Sequence, residues 1–207
     1  MNTLWNLFSM GGYFMYPISI CSIIGLWVFL EKFIHFRRAT IDVAEFSAGI
    51  RNLIKSNRIS ESITLCRETP GPVAAILYAA LLCHGKNRQQ IIDAIERTAH
   101  FELPRLERNI SVLSTISKIA PLLGLLGTVS GLIRAFQIIQ IQSPFIQPSA
   151  LAQGIWEALL TTAFGLVVAI PAHIAFDYLS SKVHAFGVSM EHIATDILEV
   201  LTQGDHE

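Results

Sequence analysis

Two stretches of this chain limit its fold more than anything else in it. Residues 120–133 read APLLGLLGTVSGLI and residues 154–172 read GIWEALLTTAFGLVVAIPA. Both are too apolar and too long for the surface of a soluble helix, yet each keeps glycines and hydroxyls at its centre. That mixture belongs to helices packed against one another in a membrane, where small residues let backbones approach. The whole chain agrees: among 207 residues, 52% are hydrophobic and only 15% charged. A net charge of -1 gives no argument for a nucleic-acid partner. The three cysteines, Cys21, Cys66 and Cys83, have no CxxC spacing, and Cys66 and Cys83 read as reduced cytosolic thiols rather than a disulfide or zinc site.

A third apolar stretch precedes these two. Residues 13–30 carry no charge, with Tyr13 and Tyr16 at one end and Glu31, Lys32, Arg37 and Arg38 at the other. This is about the length that a bilayer core requires, with aromatic and basic flanks. No Lys or Arg lies in residues 1–12, so this segment lacks the basic leader of a signal peptide and is expected to be retained. Pro17 falls in the first turns, where a missing amide hydrogen is tolerated. The expected fold is an all-α integral membrane protein with three transmembrane helices and long helices extending into a cytoplasmic helical domain. Its segments are a short periplasmic N-terminus (1–12), a first span (13–30), a cytoplasmic helical domain (31–118), a second span (119–139), a periplasmic loop (140–153), a third span (154–176) and a cytoplasmic C-terminal helix and tail (177–207). The orientation follows from basic residues: 13 of the 15 Lys and Arg lie in residues 32–118, which places that region in the cytoplasm.

Between residues 41 and 100 the pattern is helical and soluble-like. Phe46, Ile50, Leu53 and Ile54 share one face, as do Val73, Ile76, Leu77, Ala80 and Leu81. Pro70-Gly71-Pro72 and His84-Gly85-Lys86-Asn87 punctuate the segment, and Asn87 has the character of a helix cap. From Arg88 to Phe136 the spacing predicts one long helix, bent at Pro104 and Pro121, that enters the membrane near Lys118. Lys118 and Arg134 are roughly 24 Å apart along such a helix and read as membrane-boundary anchors. A separate final helix is expected over 182–201.

Gly124, Gly127 or Thr128, Gly131 and Ala135 recur at three or four residues in the second span. Ala158, Thr162, Gly165 or Leu166, Ala169 and His173 do so in the third. Two readings of these faces stand: close helix packing with threonines bonded to their own backbone, or the lining of a pore. Glu157 is the one carboxylate inside an apolar segment, near the outer end of its span, and reads either as a functional group or as an interfacial carboxylate. Neither span holds an acid at mid-membrane for a proton relay. If the protein handles protons, another chain supplies the titrating group. The histidines His84, His100, His184 and His192 lack metal spacing, and Ser111, Ser114, Thr115 and Ser117 read as polar helix positions rather than nucleophiles.

Residues 120–133 and 154–172 resemble the two signature segments of the MotA/TolQ/ExbB proton-channel family, in the same order and within a three-span layout covering nearly the whole chain. Within that family the likeness is greatest to the ExbB branch, with TolQ second. The resemblance implies a homopentamer in the inner membrane of a Gram-negative bacterium. Its second and third spans would surround single-span ExbD- or TolR-like partners, working with a TonB- or TolA-like energy transducer. It further implies that a membrane aspartate of the partner takes up protons, while Thr128, Thr162 and Glu157 of this chain face or flank it. Protons are the coupling ion, with no catalytic residue, metal or other cofactor and with room for bound lipid. The corresponding function is a stator subunit that uses the proton motive force to energise TonB-dependent outer-membrane transport. A TolQ-like subunit of an envelope-integrity motor is the alternative, and a flagellar stator usually has four spans. An intramembrane enzyme would need a nucleophile and base at matching depth, and a self-sufficient transporter its own ion-binding acids or broken helices. The sequence displays neither set.

Overall fold

The computed structural model describes residues 12–39, 43–142 and 148–203, all discussed below. Most of the expected periplasmic N-terminus, the centre of the 140–153 loop and the end of the tail lie outside the described residues. Seven helices make up the described chain, without a strand among them: α1 (Met15–Ala39), α2 (Val43–Lys55), α3 (Ile59–Glu68), α4 (Pro72–Leu82), α5 (Arg88–Glu107), α6 (Ile110–Gln142) and α7 (Pro148–Gln203). Three helical stretches are long and apolar enough to cross a membrane, within Met15–Arg37, Arg88–Gln140 and Ala152–Leu201. The fold is thus all-α with three candidate spans.

The chain divides into two compact units. One contains the residues up to Leu30 with Asn109–Asp177, the other Glu31–Arg108 with the residues from Tyr178 on. In the first, α1 begins at a turn in which the Met15 amide donates to the Gly12 carbonyl, 3.2 Å away. Met15 and Ile18 are buried there. Gly25 faces α6, where an added Cβ would lie 3.5 Å from the Ile116 side chain, an ordinary contact.

The second unit has its own core. Helix α4 is apolar nearly all round and contributes Val73, Ile76, Leu77, Ala80 and Leu81 to it. A helix of that composition must be surrounded. Ile50 of α2, Cys66 of α3, Ile91 and Ile95 of α5, and Met190, Ile193 and Ile197 of α7 surround it. Arg51 and Asp196 bridge at 2.9 Å across the edge of this core. Pro72 occupies the first turn of α4, where its missing N–H leaves no bond unmade. Asn87 starts α5, its side-chain oxygen accepting the Gln89 amide at 3.3 Å. Lys32, although basic, is buried and donates to the Leu106 carbonyl at 3.3 Å.

Two expectations about helix limits need correction. The single helix expected from Arg88 to Phe136 is two, because Asn109 adopts φ 69° between α5 and α6. Asparagine is the non-glycine residue that most readily enters this left-handed region. Arg108 is extended, and its amide closes the end of α5 on the Pro104 carbonyl at 2.9 Å. Pro121 remains inside α6. Conversely, the separate helix expected over 182–201 is the continuation of α7, which passes Pro171 and runs to Gln203. Nothing between residues 176 and 182 supplies a glycine, a proline or a positive φ to stop it.

Candidate functional site

Helices α6 and α7 meet along a seam of small residues. A Cβ on Gly124 would come within 3.0 Å of the Thr162 Cα, and one on Gly131 within 2.8 Å of the Ala158 Cβ. One on Gly154 would meet the Ala135 Cβ at 3.0 Å, and one on Gly165 the Ala120 carbonyl oxygen at 2.7 Å. Gly127 lies directly against the Thr161 side chain. Numbers rise along α6 as they fall along α7, so the helices are antiparallel. At these approaches a side chain on either glycine row would hold the backbones apart, which is why glycine and alanine recur at this spacing.

The row on α6 is Ala120, Gly124, Gly127, Gly131 and Ala135; on α7 it is Gly154, Ala158, Thr161, Gly165, Ala169 and Ala172. Of the alternatives left open by spacing, Gly127 rather than Thr128 and Gly165 rather than Leu166 lie in the seam. Thr162 lies at the seam with its Cα against Gly124, and Thr161 beside it is the one buried against Gly127. At the end of the row Ala172 is buried where the spacing gave His173. Thr161 is 1% exposed. His173 is exposed and faces Asp177 one turn on, with Nε2 and Oδ2 3.6 Å apart. The seam joins two helices of one chain. Larger apolar residues, among them Leu122, Leu125, Val129 and Phe136 on α6 and Leu159, Val167 and Ile170 on α7, point outward instead.

Hydroxyls mark one level of this hairpin. The Thr162 hydroxyl crosses the seam and donates to the Gly124 carbonyl at 3.0 Å. The Thr128 hydroxyl donates to the carbonyl of Leu125, the next residue of α6, at 2.6 Å. Adjacent acceptors on one helix differ by about 1.5 Å in height, so the two threonines are brought to a common depth. Thr161 donates within its own helix to the Glu157 carbonyl at 2.8 Å. Each of these hydroxyl hydrogens therefore has an acceptor within the hairpin.

One level farther along, the chain makes an ion pair. Arg134 and Glu157 approach to 2.8 Å across the hairpin, with side chains 41% and 21% exposed. The Arg134 guanidinium carbon also lies 5.7 Å from the Tyr13 ring centroid, within the range of cation–π attraction. Gly12, at φ 69°, leaves open the space that the Glu157 carboxylate enters. Residues from the start of α1, from α6 and from α7 thus converge on one carboxylate. Spacing along single helices gave Arg134 and Glu157 separate roles and did not join them. Opposite charges, each near the same end of its apolar stretch, were the available signal. Lys118, at the other end of the α6 span, is exposed.

Comparison with known proteins places these features in a family. The sequence model of the MotA/TolQ/ExbB proton channel family matches residues 68–192, more than half of the chain. A putative biopolymer transport protein ExbB homolog of Methanothermobacter thermautotrophicus is 30% identical over 182 residues, a match covering 87% of this chain and 64% of that protein. The chain therefore spans just under two thirds of that relative. The biopolymer transport protein ExbB of Salmonella typhimurium is 35% identical over 203 residues, with 89% and 78% covered. The Tol-Pal system protein TolQ of Haemophilus influenzae is 40% identical over a shorter 85 residues, 41% of this chain and 36% of that one.

Proposed function

Because the chain belongs to the MotA/TolQ/ExbB proton channel family and within it is most like ExbB, we propose that it is the multi-span stator subunit of a proton-driven motor in a bacterial inner membrane. On this reading it works with an ExbD-like single-span partner to energise TonB-dependent transport. The observation that carries the reading is an absence joined to a pairing. Between residues 119 and 176 the only carboxylate is Glu157, and Arg134 already holds it. A mid-membrane proton acceptor must then come from a second chain, and a membrane aspartate on a single-span partner supplies it.

Thr128 and Thr162 give such an acid a ring of hydroxyls at one depth when several copies surround it, five by family resemblance. The Thr162 hydrogen is engaged by Gly124. Its oxygen can accept from the protonated acid, whereas donating to the charged acid requires releasing that carbonyl. A hydrogen bond to a charged group contributes about 1.5 to 3 kcal/mol. A proton crossing about 150 to 200 mV releases roughly 3 to 5 kcal/mol, so such bonds are large enough to steer a proton-driven step. Replacing both threonines by valine keeps their shape and removes the hydroxyls. The Thr128→Val, Thr162→Val protein should still copurify with its partner while energy-dependent uptake falls to background. Thr162→Ser alone should retain part of it. Normal uptake in the double variant would reduce both residues to packing.

A TolQ-like role in envelope integrity rests on the shorter TolQ match. Complementation of strains lacking either system separates the two.

A further inference from the structure

The second unit contains a cavity of roughly 810 Å³, with charged groups set in a mostly apolar wall, that the proton reading leaves unused. His35 of α1, Arg67 at the end of α3, the Thr69–Pro72 turn, Tyr78 of α4, and Glu102 and Arg105 of α5 line it. We propose that this cavity binds the phosphodiester headgroup of an anionic phospholipid.

Charge is the first argument. Arg105 lies 3.5 Å from Glu102, while Arg67 makes no ion pair or hydrogen bond among the described residues. Two guanidiniums against one carboxylate leave one positive charge, with the imidazole of His35 uncounted, and a phosphodiester carries one negative charge. A guanidinium fork matches phosphate oxygens in geometry as well as charge. Helix α4 begins at the cavity wall with no side-chain cap and no acid in its first turn, so its positive end does not oppose an anion there.

Depth is the second argument, and it selects a lipid over a soluble anion. The uncharged run of α1 ends at Leu30, and His35 follows five residues later on the same helix. Five residues rise roughly 7.5 Å. The headgroup layer on each face of a bilayer is about 5 to 8 Å thick, so His35, the residue of α1 that lines the cavity, falls within that layer. Apolar wall residues, Pro70, Pro72, Ala75 and Leu106, suit the glycerol end of such a lipid. The basic residues of 32–118 identify this face as cytoplasmic, where anionic lipid is enriched.

The test uses the full-length protein purified in a non-ionic detergent and titrated with dioctanoyl phosphatidylglycerol, dioctanoyl phosphatidylcholine or inorganic phosphate. Native mass spectrometry counts adducts per chain. We expect one phosphatidylglycerol per chain, held about tenfold or more tightly than phosphatidylcholine, because both offer the same phosphodiester but the choline cation cancels its charge and is repelled by the unpaired guanidinium. Arg67→Gln should lose that preference with helicity unchanged, since Arg67 is exposed, and Arg67→Lys should restore part of it. Equal binding of the two lipids, or Arg67→Gln binding like the parent, would overturn the proposal. Inorganic phosphate binding as tightly as phosphatidylglycerol would overturn the lipid assignment and leave a soluble-anion site.

Discussion

The pairing of Arg134 with Glu157 shows how a residue's role depends on its level in the fold. Taken along α7 alone, Glu157 is an ionisable group in an apolar helix; taken with α6, it is half of an ion pair. The antiparallel seam sets that level, and sequence spacing carries no information on which residues of two helices stand opposite. Thr161 was missed for a related reason. Residues 161 and 162 both continue a three-and-four pattern from Ala158, and the facing glycine, Gly127, decides which of them is buried. Cys66 offers a residue-scale prediction. Its thiol is buried in the second unit, and burial pushes its pKa up to about 12. The neutral thiol is therefore the favoured form, and reactivity rises only as the pH approaches that value. At pH 8 about one Cys66 in ten thousand is thiolate, the form that alkylates. N-ethylmaleimide at pH 8 should modify half-buried Cys83 well before Cys66 in the folded protein and both together after denaturation. Equal rates in the native state would mean that the α3–α4 core opens readily.

At the scale of elements, the three apolar helices and the small-residue faces were legible because composition and the 3.6-residue period act within one helix. The break at Asn109 was not, since a single left-handed asparagine stops the helix where spacing on either side continues. Nor was the partner of each small face. A stripe of glycines is equally suited to another copy of the chain or to the next helix. In the structure α6 and α7 use their stripes on each other, which leaves the outward apolar residues for contacts with other chains. Ala135 and Gly154 test this directly, because a Cβ added at Gly154 lies 3.0 Å from that of Ala135. A disulfide needs a Cβ separation of about 3.5 to 4.5 Å, within reach of a small adjustment. In a protein lacking its native cysteines, Ala135→Cys with Gly154→Cys should oxidise to a crosslink within one chain, seen by mass spectrometry of peptides on either side of the loop. Adding Gly165→Leu, which forces a side chain onto the Ala120 carbonyl, should suppress it. Crosslinked dimers as the main product would return the seam to an interface between copies.

For the whole molecule, the sense in which the three spans cross the membrane follows from charge rather than from packing. Helices of this length and apolarity fit a bilayer in either direction, and nothing in a small-residue seam distinguishes its two ends. Basic residues do. Lys32, Arg37 and Arg38 follow the first apolar run directly, and ten more Lys and Arg precede residue 119, against Arg134 and Lys182 elsewhere. Moving such a cluster across the membrane opposes the bias that retains Lys and Arg on the cytoplasmic side. Arg134 does not weaken the argument, because Glu157 neutralises it at the opposite end of its span. Residues 32–118 are therefore expected inside, with the region joining α6 to α7 outside. Two exposed positions report on the two sides, Ser56 after α2 and Gln153 near the start of α7. In intact spheroplasts of a strain carrying the protein without native cysteines, a membrane-impermeant maleimide should label Gln153→Cys and spare Ser56→Cys. Ser56→Cys should become reactive once the membrane is permeabilised. Labelling of Ser56→Cys alone before permeabilisation would reverse the orientation, and with it the leaflet in which the Arg67 cavity meets lipid.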